Sequence, residues 1–328
     1  MTSRVGLVLG SGGLAGTAFH AGVIAALADE LGWDARMAPT IVGTSAGSTS
    51  AALLRAGFPP PDFVARMTGQ PLSADGAAIL DGMPPASAVG RAGRGEGGVG
   101  QGARRRPASP EMLARAVRRP WAVRPGSVAS GLLPPGQVST AELRSGFAGL
   151  FTEWPGEQLW ICAVRLSDGS RVVFGRDEAG RGSSVADAVA ASCAIPAYYE
   201  PVTINGERYV DGGAHSLCNA DLVADLGLDA VVVSAPMSTS DRLALSLDHP
   251  WRAAARAQLA VEVRQVVRSG TRVLVVHPTQ PEREVMRGAT LDPRRRPAIA
   301  RAAYASARHL LSRAHGGAVD VVRAAGRA

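Results

Sequence analysis

The sequence predicts an α/β fold in which helices cover both faces of a β-sheet. Short β-rich runs alternate with amphipathic or Ala-rich helical stretches along most of the chain. The β-rich runs are apolar without polar alternation, and such strands need a sheet that is covered on both faces. The composition, 46% hydrophobic and 19% charged, is typical of a globular protein. Together these features predict a layered α/β/α domain.

The predicted elements alternate along the sequence. The β-rich runs are 5–9, 40–43, 159–165, 171–174, 230–235 and 272–277. Helical patterns fall near 16–31, 45–56, 184–191, 250–268 and 296–314. With no internal repeat, we interpret residues 1–328 as a single domain that ends in a helical region at about 293–328. The run 5–9 is short and leads into glycines, which favours a first strand over a signal peptide.

Composition and charge argue against several classes of function. The formal net charge is +7, but aromatic residues make up only 5% and no nucleic-acid-binding motif is present, so we expect no nucleic-acid partner. The three cysteines form no CxxC pair, and no His/Asp cluster has metal-ligand spacing, so we predict neither a metal nor a cofactor. No apolar run approaches the roughly 18 residues that a membrane span needs. We therefore expect a cytoplasmic protein of unknown oligomeric state.

One segment departs from the alternating pattern. Residues 90–106 contain seven glycines and five arginines and almost no side chain that a core could bury. Such a composition cannot offset the entropy lost on ordering, so we predict a flexible Gly/Arg-rich insertion at about 82–136. A surface loop is the simpler interpretation, and a mobile cover over an active site is the alternative.

The first glycine-rich turn, G-S-G-G-L-A-G at residues 10–16, follows a predicted strand and opens a helix. Its backbone N–H groups and the positive end of the helix dipole favour a negative group at this place. Gly10, Gly12 and Ala15 also fit a dinucleotide-binding fingerprint. That alternative needs an acidic residue at the end of the next strand, which instead ends in Gly43-Thr44-Ser45.

The second turn, G-T-S-A-G at residues 43–47, places Ser45 between two glycines. This is the spacing of a nucleophile elbow, in which a sharp strand-to-helix turn presents a serine hydroxyl. The glycines are required because the turn leaves no room for Cβ atoms two residues on either side. The pentapeptide alone is a weak signal in a chain with 39 glycines. Its strand–turn–helix setting and the turn upstream strengthen it.

A serine nucleophile needs a base, and R-Y-V-D-G-G-A-H at residues 208–215 supplies two candidates. Asp211 ends a short β-like run and is followed by two glycines. Asp-Gly is also a common turn dipeptide, so Asp211 can equally be an ordinary turn residue. His215 lies close enough in sequence to suggest a catalytic triad. The histidines at 20, 249, 277, 309 and 315 have no such setting, and we interpret them as structural or solvated.

Four segments, taken in order, resemble the patatin-like phospholipase family of serine lipid acyl hydrolases. They are residues 7–23, 41–48, 191–202 and 209–213, with L-V-L-G-S-G-G-L-A-G, I-V-G-T-S-A-G-S, A-S-C-A-I-P and Y-V-D-G-G as their cores. The resemblance covers most of the first 240 residues apart from the insertion. It implies a three-layer α/β/α sandwich with a mostly parallel central sheet, and a Ser–Asp dyad without histidine.

Carried over to this chain, the resemblance implies that Ser45 is the nucleophile and Asp211 the base, so that His215 is only a neighbour. It also implies an oxyanion hole made by the backbone N–H groups of Gly12 and Gly13. Ala46, which follows the nucleophile, can add an N–H as in related elbows. The residues expected to support these turns are Gly10, Ser11, Gly43, Gly47, Gly212 and Gly213.

The chain departs from the family pattern in the first turn. The usual three glycines become Ser11-Gly12-Gly13, and the basic residue normally found before the last glycine is Ala15. Losing a donor to the oxyanion can cost roughly 3 kcal/mol in barrier. The alternative function is therefore a non-catalytic or weakly active member that binds acyl chains or a partner. Nucleotide binding by the G-S-G-G-L-A turn ranks third.

The resemblance implies a lipid or another acyl ester as substrate, cleaved by an activity of the phospholipase A, lysophospholipase or carboxylesterase type. The C-terminal stretch places arginines around an apolar set that includes Ile299, Leu310 and Leu311. Such a helix either docks on the core with a solvated basic face or makes transient contact with an anionic membrane surface. The sequence leaves both interpretations open.

Overall fold

A computed structural model of the protein describes residues 3–81, 83, 107–119, 121, 123–239 and 250–327. The chain divides into two compact units. The first comprises Met1–Asp81, Gly156–Leu159 and Leu217–Ala328, and the second comprises Gly82–Pro155 and Trp160–Ser216. The Gly/Arg-rich segment 90–106 lies outside the described residues, so its predicted flexibility stays a prediction.

Four parallel strands form the sheet of the first unit. Their order is β2 (Thr40–Thr44), β1 (Val5–Leu9), β7 (Ala230–Ser234) and β8 (Arg272–Val276). Every residue of β1, β2 and β7 is buried, as their non-alternating apolar sequences predict. Leu9 pairs with Gly43 on one side and with Ser234 on the other. The carboxyl ends of these three strands therefore meet at one edge, where ligands bind in α/β sheets.

Eight described helices belong to the first unit. They are α1 (Gly13–Leu31), α2 (Ala46–Arg55), α3 (Pro60–Thr68), α4 (Ala74–Leu80), α9 (Pro250–Arg268), α10 (Gln280–Met286), α11 (Arg296–Arg313) and α12 (Gly317–Ala325). α2 lies against β1 and β2, and α12 lies against β7 and β8. α1 packs closely on α11, because Gly22 leaves room where a Cβ would come within 2.5 Å of the Tyr304 nitrogen. The helix α11 is thus docked through Ile299, Ala303 and Ala307, all buried.

α1 corrects the expectation that no segment is long and apolar enough to span a membrane. An 18-residue window of this helix reaches a mean hydropathy of 1.2, which satisfies that requirement by length and composition, and 72% of the window is buried. Thr17 and His20 interrupt the apolar sequence, so no continuous apolar run is visible in it. Its packing against α3 and α11 is that of a core helix.

The second unit is built on antiparallel strands. β3 (Gln158–Arg165), most of which lies in this unit, pairs with β4 (Arg171–Phe174) and with β6 (Glu207–Asp211), which in turn pairs with β5 (Val202–Ile204). The hairpin of β5 and β6 turns at Asn205-Gly206, both of which have positive φ. Asn-Gly between two strands is a strong hairpin signal, although the strands themselves are short.

The helices of the second unit are α5 (Pro110–Arg118), α6 (Pro125–Leu132), α7 (Ala141–Ala148) and α8 (Val185–Ser192). α5 and α6 fall inside the predicted insertion at 82–136. Met112 of α5 is buried in a cluster with Val123, Val164 and Val210. The part of the insertion from residue 107 onward therefore contributes helices and core.

Parallel strands in the first unit, antiparallel strands in the second and helices packed on them confirm the predicted α/β class. The strand pairing is mixed rather than mostly parallel, because β3 to β6 all pair in antiparallel fashion. Apolar runs predict β3 and β4 as strands, but an apolar pattern does not give the direction of a strand.

Candidate active site

Ser45 occupies the turn between β2 and α2 in a strained backbone conformation, with φ 54° and ψ −120°. Positive φ is uncommon for a residue with a Cβ and is characteristic of functional sites. Ser45 is the N-cap of α2, yet its side chain makes no capping hydrogen bond, although serine is a preferred capping residue. Its carbonyl accepts hydrogen bonds from the N–H and the Oγ of Ser48, at 2.8 and 2.7 Å. The turn therefore keeps the Ser45 hydroxyl out of the helix cap.

The two glycines of this turn are required by close backbone packing. A Cβ at Gly43 would lie 2.6 Å from the Cα of Ser48. A Cβ at Gly47 would lie 1.9 Å from the carbonyl oxygen of Leu9, the last residue of β1. The steric reason that the sequence analysis gave for the G-x-S-x-G spacing is confirmed.

Gly12, the N-cap of α1, and Gly13, its first residue, cannot be replaced without a clash. A Cβ at Gly12 would lie 2.5 Å from the Cα of Gly16, and one at Gly13, where φ is +58°, would lie 2.5 Å from the Thr290 carbonyl oxygen. Among the described residues, neither amide has a hydrogen-bond acceptor. The amide of Ala15, in contrast, donates to the Thr290 carbonyl at 3.3 Å. Two N–H groups at a helix N-terminus are thus available to an anion.

The peptide group between Gly10 and Ser11 is fixed on both sides. The Ser11 N–H donates to the Leu217 carbonyl at 2.7 Å, and the Gly10 carbonyl accepts a hydrogen bond from His20 Nε2 at 2.7 Å. The Gly10 N–H donates to the Ser234 carbonyl at 3.0 Å. These hydrogen bonds fix the conformation of the two residues that precede the Gly12 amide.

His20, which lies in α1, is fully buried. Because a carbonyl only accepts, its Nε2 carries the proton, and its Nδ1 accepts a hydrogen bond from the Ser234 Oγ at 2.8 Å. Burial lowers the pKa of His20 to about 4, against a smaller opposing effect of the Gly10 hydrogen bond, so the ring is neutral near pH 7. The local sequence around His20 predicts only a structural or solvated residue and does not indicate this contact with the glycine turn.

The segment Leu217–Ala220 contacts both turns, and no local sequence pattern predicts this role. Its Leu217 carbonyl holds Ser11, and the Asn219 Nδ2 donates to the Thr44 Oγ1 at 3.1 Å, next to Ser45. Asn219 is buried with φ 56°, a left-handed conformation that asparagine tolerates. Gly16 and Ala46 also approach each other, since a Cβ on Gly16 would lie 3.2 Å from that of Ala46. The two turns of the first unit are therefore neighbours.

Asp211 and His215 belong to one turn of the second unit. Asp211 ends β6 opposite Ala163 of β3 and is buried. Its Oδ1 accepts a hydrogen bond from the Gly213 N–H at 2.7 Å. A Cβ at Gly212 would lie 2.2 Å from the Cys162 carbonyl oxygen, so a glycine is required there. The His215 N–H donates to the Gly212 carbonyl at 3.0 Å.

Two other features bear on the alternatives. β2 ends at Thr44, so the acidic residue that the dinucleotide-binding interpretation needs is missing from that strand. Within the part of the chain that the structure describes, no group of three His, Cys, Asp or Glu side chains could hold a metal ion. Ala15, in the place of the usual basic residue, is buried in the first turn of α1.

The family model for patatin-like phospholipases matches residues 7–224, more than half of the 328 residues. The chain belongs to the patatin-like phospholipase family. The family match includes both glycine-rich turns as well as Asp211 and its glycines. The chain is also similar to the crystal structure of VipD from Legionella pneumophila, at 15% sequence identity and a TM-score of 0.38. That similarity covers 94% of this chain and 66% of the VipD chain.

Proposed function

We propose that this member of the patatin-like phospholipase family is a serine-dependent lipid acyl hydrolase that works through an acyl-Ser45 intermediate. The observation that carries the proposal is the backbone of Ser45, held at positive φ between two glycines that have no room for a side chain. Such strain persists only where the surrounding structure enforces it, and it is typical of a positioned nucleophile.

In the proposed first step, the Ser45 Oγ attacks the ester carbonyl carbon while the Asp211 carboxylate accepts the hydroxyl proton. The carbonyl electron pair moves to the oxygen. The amides of Gly12, Gly13 and Ala46 donate to this oxyanion, and their fixed backbone needs no reorganisation during the reaction. Because Ala15 carries no charge, the stabilisation comes from amides and helix dipoles alone.

In the second step the tetrahedral intermediate collapses and expels the alcohol, which takes the proton from Asp211. A water molecule then gives a proton to the same carboxylate and attacks the acyl-serine. Collapse of this second intermediate returns the proton to the Ser45 Oγ and releases the carboxylic acid. The reaction needs no metal or cofactor for its proton and electron balance. The substrate class is a lipid or another acyl ester.

The proposal is tested with a panel of p-nitrophenyl esters of increasing chain length. Wild type is expected to hydrolyse them, and Ser45→Ala is expected to lose all turnover above background while unfolding at the same denaturant concentration. Ser312→Ala, an exposed position on α11, is the matched control and should retain full activity. Turnover by Ser45→Ala at the wild-type rate would contradict the proposal.

A second candidate function is favoured by Ala15, which replaces the basic residue of the family pattern. In this case the same turns bind an acyl chain or a partner without cleaving an ester. A folded wild type that hydrolyses no ester in the panel but binds a fatty acid supports this candidate.

A further inference from the structure

Residues 117–119, 121 and 124 carry an unusual exposed surface at the end of α5, which we call the 117–124 loop. The side chains of Val117 and Trp121 are each 83% exposed. Arg118, Arg119 and Arg124 are also exposed. Two large apolar side chains thus project among three cations within eight residues.

The loop is exposed although residues before it and within it are packed on the second unit. Val123, between Trp121 and Arg124, is buried in the same cluster as Met112 and Val164. At the start of α5, the Ser109 Oγ donates to the Leu166 carbonyl at 2.5 Å, and Arg208 donates to the Ala108 carbonyl at 3.0 Å. Residues 108–109 and Val123 thus anchor the element on the second unit before and after α5.

Within the part of the chain that the structure describes, three arginines of the loop lack acidic partners. Arg115, one turn earlier, lies 3.9 Å from a carboxylate oxygen of Asp168. Arg118, Arg119 and Arg124 form no ion pair with any residue that the structure describes. Glu111 is the only acidic residue between positions 107 and 133. The surface therefore presents uncompensated positive charge beside apolar side chains.

α11, the helix for which the sequence suggested membrane contact, differs in this respect. Its arginines at 301, 308 and 313 are exposed, but Ile299 and Leu311 are buried against the core. Arg308 also pairs with Glu30 at 2.6 Å. Docking buries most of the apolar face of α11, and Leu310, 42% exposed, is its one large apolar side chain among the described residues that stays exposed.

We infer that the 117–124 loop binds an anionic membrane surface. Tryptophan prefers the headgroup level of a bilayer, and arginines beside it attract anionic lipids at about 1 kcal/mol each. An acidic protein or a nucleic acid could use the arginines but would not need Val117 and Trp121 to leave water. The purpose of this binding rests on the proposed function, because the loop would bring the enzyme to a lipid substrate. Vesicle binding itself is measured independently of hydrolysis.

The test is co-sedimentation of the full chain with phosphatidylcholine vesicles, with and without phosphatidylserine. We expect binding only with phosphatidylserine. Val117→Ser/Trp121→Ser should weaken it at least tenfold, and Arg118→Gln/Arg119→Gln about thirtyfold, the equivalent of about 2 kcal/mol. All four positions are exposed, so these variants should fold normally. The matched controls, Val267→Ser and Arg301→Gln/Arg313→Gln, change exposed residues elsewhere and should bind like wild type.

Several outcomes would overturn the inference. Failure of wild type to bind phosphatidylserine vesicles would do so, as would loss of binding in the Arg301/Arg313 variant, which assigns the contact to α11. Unchanged binding by the Val117/Trp121 variant reduces the contact to charge alone and removes the role of the apolar residues. Binding to DNA in place of vesicles also contradicts it. Vesicle binding without ester hydrolysis would leave the inference standing and remove the proposed function.

Discussion

The turn of Ser45 and the turn of Asp211 both pack closely on a neighbouring strand, but they position their side chains in different ways. Each follows the last residues of a strand, and each needs a glycine whose Cβ would strike a backbone oxygen, that of Leu9 at Gly47 and that of Cys162 at Gly212. Ser45 has positive φ and does not cap the helix that it precedes. Asp211 has φ −46° and uses one carboxylate oxygen to cap the turn behind it.

The difference indicates how each side chain is positioned. Backbone strain fixes the direction of the serine side chain, which has only one oxygen and would lose it to a cap. The aspartate has two carboxylate oxygens, and the one that accepts the hydrogen bond from the Gly213 N–H holds the turn. A nucleophile placed by strain should be sensitive to its glycines, whereas a base placed by a hydrogen bond should be sensitive to its charge.

The largest effect is expected from Gly47→Ala. Its Cβ would meet the Leu9 oxygen at 1.9 Å, which forces β1 and the elbow apart and should lower the free energy of unfolding by about 3 kcal/mol or more. Ester hydrolysis should fall to background. Gly149→Ala is the matched control, because a Cβ there has no neighbour within 4 Å and φ is −83°. Equal denaturation midpoints for the two variants would contradict this account of the elbow.

The next effect concerns the base. Asp211→Asn keeps the size of the side chain and an oxygen for the Gly213 N–H but removes the charge that accepts a proton. We expect kcat to fall about 10³-fold with the unfolding midpoint little changed. His215→Ala should change kcat less than tenfold. If His215→Ala loses activity and Asp211→Asn keeps it, a triad with histidine replaces the dyad.

A smaller effect is expected at His20, which acts on the reaction only through the Gly10 carbonyl. His20→Leu removes the hydrogen bonds to Gly10 and Ser234, and we expect kcat to fall about 10- to 100-fold with little change in KM. His20→Gln should recover much of the loss, because its amide can still donate to the Gly10 carbonyl. His20→Asn, which is too short for that contact, should not. Equal kcat values for the Leu and Gln variants would show that His20 only fills space.

The smallest effect is the dependence of stability on pH. The pKa of His20 is lowered by burial from 6.5 to about 4, so between these values the unfolded chain binds more protons than the folded one. The contribution of His20 is complete above pH 6.5 and is lost as the pH falls towards 4. At pH 5 this loss is about 2 kcal/mol. His277, whose pKa burial also lowers to about 4, adds in the same direction.

Urea unfolding between pH 7 and pH 5 measures this dependence. His20→Gln removes one of the two groups and should give a shallower slope than wild type. The same slope in both proteins would mean that folding does not lower the pKa of His20.

The sequence was most informative where backbone sterics determine residue type. The strands β1, β2, β7 and β8 followed from apolar runs, and the spacing of Gly43, Ser45 and Gly47 follows from contacts that exclude Cβ atoms. Local patterns did not give the antiparallel direction of β3 to β6. They also missed α5, because arginines and glycines dominated the composition of the segment around it.

The hydrogen bonds that hold the two glycine-rich turns could not be predicted from the sequence, for a different reason. His20 and Ser234 are 214 residues apart, and Asn219 and Thr44 are 175 residues apart. A histidine within an apolar helix is usually a core residue. Nothing in its local sequence predicts a hydrogen bond to a distant serine or to a glycine carbonyl. Such contacts are set by tertiary packing alone.

The most direct test of the central claim is covalent labelling by a fluorophosphonate probe, with the modified residue identified by mass spectrometry. Labelling needs an activated serine and donors for the negative charge that develops on the phosphonyl oxygen, but not a matching substrate. We expect wild type to be labelled at Ser45, Asp211→Asn to react much more slowly, and Ser45→Ala to remain unlabelled. Labelling of another serine, or an equal rate in Asp211→Asn, would contradict the claim that these two residues form the nucleophile and its base.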